Sequence, residues 1–180
     1  MAAGSPVLRD ARRDDVPRIA ALMRASVREV FPRFHDARET EAAARYLTEP
    51  DTVLIDDGTY YVHEVDGELV ACGGWSRRDK LYTGSGAASS DDRLLDPATE
   101  PARVRAMFVR PDWTRRGLGR AILDRSAQAA RDAGFRTLTL MATMPGVPLY
   151  RSFGFRDVRP ADVPFPNGVV LDGLAMDYPL

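Results

Sequence analysis

A mixed α/β (α+β) domain is predicted, with a central, mostly antiparallel sheet and one parallel strand pair flanked by helices. Three observations in the 180-residue sequence carry that prediction. Tyr60 to Val65, then Asp66-Gly67, then Leu69 to Trp75 is a hairpin signal, because Asp-Gly supplies the positive φ angles of a type I′ turn. Strand, helix and strand patterns follow one another from Arg103 to Ala142, which is a βαβ unit and makes its two strands parallel. Arg156 to Val163 and Val169 to Tyr178 flank Pro166-Asn167-Gly168 and form a terminal antiparallel pair.

The remaining elements fall between these. After the short apolar pair Val7-Leu8, Asp15 precedes Val16, Pro17, Ile19, Ala20, Leu22 and Met23. This predicts a first helix to about Val27, with Pro17 tolerated in its opening turn. Pro32 breaks it, and Ala37 to Leu47 reads as a shorter second helix. From Arg77 to Glu100 the chain is polar and loop-like, either a candidate substrate lid or a tolerated surface insertion. Arg103 to Val109 is a strand buried on both faces toward its end, and Pro111-Asp112-Trp113 stops it. A helix from about Arg116 to Ala133 places Leu118, Ile122, Ala129 and Ala133 on one face, with Gly134 as a left-handed C-cap. Leu138, Leu140 and Ala142 mark the next strand. Pro148 to Phe153 is a last short helix closed by Gly154.

Length and composition, with 44% hydrophobic and 28% charged residues, suit one compact domain over residues 1–180. Lys and Arg number 25 against 26 Asp and Glu, so no global basic field exists to attract nucleic acid or anionic lipid. Cys72 is the only cysteine, which excludes a disulfide framework and a cysteine-rich zinc site. No metal is expected. The N-terminus lacks the apolar stretch of a signal peptide and no run of about 18 apolar residues occurs, so neither membrane insertion nor export is expected. A cytoplasmic location follows as the expectation.

The densest chemical signal is Trp113-Thr114-Arg115-Arg116-Gly117-Leu118-Gly119-Arg120, set between a strand and a helix. A helix N-terminus presents unpaired N–H groups and the positive end of its dipole, a natural seat for a phosphate. Gly117 and Gly119 let the backbone approach an anion, and Arg115, Arg116 and Arg120 add local charge. A P-loop would require Gly-Lys-Ser/Thr, which is absent here. A dinucleotide fingerprint would require a small residue where Ile122 stands and an acidic residue near Thr139.

The segment resembles the acyl-CoA motif of the GNAT superfamily, strand, Gln/Arg-x-x-Gly-x-Gly/Ala, helix, with Gly117 and Gly119 on its two glycines and Thr114 where Gln or Arg is usual. The resemblance covers most of the chain, because the early helices, the hairpin, the strand through Val109 and the Leu149-Tyr150-Arg151-Ser152-Phe153-Gly154-Phe155 segment occur in family order. It implies an N-acetyltransferase that uses acetyl-CoA as co-substrate, with its pyrophosphate on residues 115 to 120, Leu118 included. It also implies that the parallel strands splay and that Met107, Phe108 and Val109 offer main-chain groups to the pantetheine arm. Tyr150 matches the tyrosine that in many members protonates the departing thiolate.

An amine acceptor must lose a proton, so a base or a water chain is needed. Glu64 is the candidate base, with His63, His35 and Glu68 beside it. Tyr60, Val62 and Glu64 share one strand face and Tyr61, His63 and Val65 the other, and alternation alone leaves open which one meets the cleft. Trp75 and Tyr82 could shape the same cleft. Direct attack of a primary amine, on a small molecule or a peptide, gives a ternary-complex mechanism. A non-catalytic acyl-CoA sensor on the same fold is the alternative. Acidic residues at Asp91, Asp92, Asp96 and Glu100 would suit a cationic acceptor. Acceptor identity and oligomeric state, a homodimer included, stay open.

Overall fold

The computed structural model describes residues 4–80 and 93–180. Residues 81–92, the middle of the candidate lid with Tyr82, Asp91 and Asp92, lie outside the described residues. Seven strands form one sheet: β1 (Val7–Asp10), β2 (Tyr60–Val65), β3 (Glu68–Ser76), β4 (Ala102–Val109), β5 (Thr137–Thr143), β6 (Arg156–Pro164) and β7 (Val170–Pro179). Their spatial order is β1-β2-β3-β4-β5-β7-β6, and only β4 and β5 run parallel. Five helices are α1 (Val16–Val30), α2 (Ala37–Tyr46), α3 (Thr52–Asp56), α4 (Leu118–Asp132) and α5 (Val147–Phe153).

The helices cover both faces of the sheet. On one face Leu118, Ile122, Leu123, Ala127 and Ala130 of α4 pack with Tyr150 of α5 against Tyr61, Val65, Trp75, Leu138 and Leu140. On the other, Ile19, Leu22 and Met23 of α1 pack on Tyr60, Val62 and Cys72, while Val27, Phe31 and the alanines of α2 meet Val163, Phe165 and Leu171. The buried stripe of α4 runs through Leu118, Ile122, Leu123, Ser126, Ala127 and Ala130, with Ala129 partly buried against the same core, while Ala133, expected on that face, is exposed. Ala133 caps the helix at the surface.

Local chemistry explains the boundaries. Asp66 and Gly67 both take positive φ, 49° and 83°, as the hairpin turn demands. Helix α2 opens on a reciprocal capping box, Glu39 N–H donating to Asp36 Oδ1 at 2.8 Å and Asp36 N–H to Glu39 Oε2 at 3.0 Å. Gly134, at φ 92°, ends α4 with bonds from Gly134 N–H to the Arg131 carbonyl and from Phe135 N–H to the Ala130 carbonyl, a Schellman closure. Helix α1 runs three residues beyond the expected end and passes into a 3-10 turn over Phe31–Arg33. Pro32 ends the α ladder there, and the tighter turn carries the chain on. Two elements were not anticipated: β1, which exists by pairing with β2, and α3, whose cap Asp51 accepts from Val53 N–H at 3.1 Å.

Candidate active site

The site is a break in the sheet. Strands β4 and β5 pair only at Ala102 with Leu138 and Arg103 with Thr139, after which they part. The cause lies in β4. Where β3 advances two residues, from Cys72 to Gly74, β4 spends three, from Phe108 to Arg105, so β4 carries a bulge. Ala106 sits in it at φ 50°, a region that costs an L-residue about 1 kcal/mol or more. Buried Tyr60 holds the bulge by donating its hydroxyl to the Ala106 carbonyl at 2.8 Å. Gly73 makes room for it, since a Cβ there would lie 2.2 Å from Met107 Sδ. The expectation that the end of β4 is buried on both faces is corrected accordingly. Ala106, Met107, Phe108 and Val109 are only half buried, because they border a cavity where β5 would otherwise pair.

That cavity has a volume of about 700 Å³. It reaches from the α4 and α5 face, where Gly117, Leu118, Gly119, Leu149 and Tyr150 line it, to the α1 and α2 face, where Ser26, Val30, Phe31 and Leu47 do. Met107, Phe108 and Val109, predicted to meet the pantetheine arm, form its β4 wall.

The start of α4, where the motif would seat an anion, has its own geometry. Gly117 takes φ 80° at the N-cap of α4, and a Cβ there would meet nothing within 4 Å, so glycine serves the backbone angle. The first backbone bond of the helix runs from Ala121 N–H to the Gly117 carbonyl at 3.0 Å. The amides of Leu118, Gly119 and Arg120 precede it and have no intrahelical acceptor. A Cβ at Gly119 would come 2.7 Å from Leu149 Cδ2, so this glycine permits close packing of α4 on α5. Arg115, at φ 61°, and Arg120 border the cavity. Arg116 turns away, lying 4.3 Å over the Trp113 ring and donating to the Asp112 carbonyl at 3.3 Å. The Thr114 hydroxyl donates to the Pro111 carbonyl at 3.0 Å, so it caps the turn.

Tyr150 lines the same cavity at 9% exposure. Phe155 packs edge-on against its ring at 5.7 Å, and Gly146 lets the ring approach, since a Cβ there would lie 2.9 Å from Cε2. Burial pushes its hydroxyl well above the ordinary phenol range, so the proton stays on.

The other candidates sit elsewhere. Glu64, named as the base, does not line the cavity: strand β2 is separated from the seam by β3 and β4. Its carboxylate accepts from Arg9 Nε at 2.8 Å, and Arg9 also pairs with buried Asp15 at 2.8 Å. His63 faces α4, donating from Nε2 to the Leu118 carbonyl at 3.1 Å, and burial lowers its pKa. His35 lies against Phe31 with the rings tilted at 38°, its Nδ1 3.3 Å from Glu39 Oε2. Glu68 is exposed and paired with Arg110. Glu100 pairs with Arg93 at 2.7 Å, and Trp75 is core. Cys72 is fully buried, its thiol pushed up to about 12, and is no nucleophile.

Sequence reasoning missed the bulge and its supports, Tyr60, Gly73 and Ala106. The pair Gly73-Gly74 inside a strand is the signal that could have found it, because glycine within a strand marks a bulge or a close backbone approach.

Residues 21–155 match the model of the acetyltransferase (GNAT) family. The fold is shared with a GCN5-related N-acetyltransferase from Rhodopseudomonas palustris, at TM-score 0.72 and 19% identity over 100% of this chain and 99% of that one. It is shared with the PaiA N-acetyltransferase from Thermoplasma acidophilum in complex with coenzyme A, at 0.72 and 12% over 98% and 100%. YncA from Salmonella typhimurium, solved with its cofactor acetyl-CoA, matches at 0.63 and 19% over 98% and 95%. With a family match over well more than half its length and a sheet parted beside a glycine-capped helix start, the chain belongs to the GNAT acetyltransferase family.

Proposed function

We propose that the protein is an acetyl-CoA-dependent N-acetyltransferase that moves an acetyl group to a primary amine by direct attack within a ternary complex. One observation carries the reading: a single cavity joins the unpaired amides that open α4, the parted edge of β4 and the buried hydroxyl of Tyr150. The fit is chemical. The amides of Leu118, Gly119 and Arg120, with Arg115 and Arg120 beside them, suit a pyrophosphate. The apolar gap beside Met107, Phe108 and Val109 suits an extended arm, with main-chain groups of β4 left unpaired on the β5 side.

Acetyl-CoA supplies an acyl carbon activated as a thioester. The amine nitrogen bonds to that carbon as the C–S bond breaks with its electron pair going to sulfur. Tyr150 gives the sulfur a proton, and the proton the amine gives up returns through water to restore the phenol. Burial holds the Tyr150 phenol in its protonated form. The acceptor of that proton is the departing thiolate, whose conjugate acid has a pKa of about 8.5.

Calorimetric titration with acetyl-CoA, with ATP and NAD as controls, tests the cofactor. Selective micromolar binding supports the reading, and a preference for ATP overturns it. Tyr150→Phe tests chemistry against binding. A catalyst loses turnover and keeps its affinity, whereas an acyl-CoA sensor has no turnover to lose.

A further inference from the structure

We infer that the acceptor is a primary amine carried on an apolar body, and that polyamines and other multiply charged amines are poor substrates. This deepens the proposed acetyl transfer and rests on it. The cavity has two chemically distinct ends. Beyond the gap between β4 and β5, on the α1 and α2 face, its wall is Val30, Phe31, Leu47, Phe108 and Met141, with Ser26 contributing a hydroxyl. Phe108, Leu47 and Met141 are half-buried side chains packed on the cluster around Val27 and Phe31, so the surface they offer an acceptor is hydrocarbon and aromatic.

Charge points the same way. Among the described residues that line the cavity, every charged side chain is an arginine: Arg105, Arg115 and Arg120. Arg105 is buried and pairs with Asp51 at 3.1 Å, and Lys80 lies 3.6 Å from the same carboxylate, so the pair near this wall does not present a net negative charge. A second ammonium group on the acceptor would be stripped of water against Phe31 and Leu47 with no carboxylate of the described wall to receive it, a costly burial. An aromatic or branched aliphatic body would fill the same space favourably. The acidic stretch near Asp96 and Glu100 does not alter this, because Glu100 is held by Arg93 and accepts from Asp96 N–H.

The test is a thiol-release assay on the whole chain with acetyl-CoA and four amines: benzylamine, phenylalanine amide, cadaverine and spermidine. The two aromatic amines are expected to exceed the two polyamines in kcat/KM by about tenfold or more, the usual discrimination of an apolar pocket. Leu47→Asp places a carboxylate at a half-exposed position of the wall. It is expected to reverse the order, raising cadaverine and lowering benzylamine, with acetyl-CoA affinity unchanged by calorimetry. Preference for spermidine or cadaverine in the parent, turnover of none of the four despite acetyl-CoA binding, or an order unmoved in a folded Leu47→Asp protein each overturns the inference. Failure to bind acetyl-CoA at all is a different result and sinks the acetyl-transfer reading itself.

Discussion

The two ends of the sheet solve opposite problems. From β1 to β3 the strands stay paired despite a one-residue bulge at Val70, and a buried carboxylate ties them to α1: Asp15 accepts from Arg9, from Arg18 and from Arg12 N–H. At the β4 and β5 seam pairing stops after two residue pairs, and what lies between is a cavity. The first region is closed by charge and hydrogen bonds; the second is held open by one extra residue in β4, by Tyr60 and by Gly73. At the closed end Glu64 is committed to Arg9, whereas at the open end the first amides of α4 have no intrahelical acceptor.

Substitutions at the two ends should therefore separate stability from function. The largest effect is expected from Asp15→Asn, which leaves Arg9 partly uncompensated at a buried site and should cost roughly 3 kcal/mol in denaturant unfolding at neutral pH, with acetyl-CoA binding by the folded fraction unchanged. The pH dependence follows from sign. Arg9 holds the Asp15 carboxyl far below its ordinary 3.8, so its contribution is complete above that value and is lost as pH falls through the lower, folded-state value. Parent and variant stabilities should converge in acid, and a constant difference down to pH 2 would sink this account.

Next comes Tyr150→Phe at the open end, expected to lower kcat about 100-fold with little change in melting temperature or cofactor affinity. Gly117→Ala forces a Cβ into a left-handed N-cap and should weaken acetyl-CoA binding by about tenfold, from roughly 1 kcal/mol of backbone strain and displaced amides; a calorimetric affinity equal to the parent would show that the loop tolerates the change. The smallest is Tyr60→Phe, which removes the donor to the Ala106 carbonyl and should cost about 1 kcal/mol in stability. Because Tyr60 belongs to the closed region and the bulge to the open one, it also sharpens the contrast. A rise in KM for acetyl-CoA alongside the stability loss would show that the bulge is held in shape from behind.

Much of this was legible in the chain. Asp66-Gly67, the Gly134 cap and the βαβ spacing specify local geometry by steric rules that admit few residues, so they read directly. The start of α4 read equally well, since Gly117 and the arginines before it are local in sequence. What did not read was whatever depends on the partner strand. Alternation in β2 places Glu64 and His63 on opposite faces, yet neither face meets the cleft, a fact set by the strand order and not by any residue of β2. The bulge centres on Ala106, and alanine gives no warning of a positive φ. Gly119 permits the close approach of Leu149, a packing demand that its spacing from Gly117 does not reveal.

Cys72 offers a use of its own. It lies at the centre of β3, fully buried, paired across to Phe108 beside the bulge and with its thiol pushed up to about 12, so a thiol reagent meets it only when the sheet opens. As the only cysteine of the chain, it is a built-in clock for that opening. Its rate of alkylation under native conditions would time how often β3 and β4 separate, and slowing of that rate by a bound cofactor would report occupancy of the seam without any activity assay.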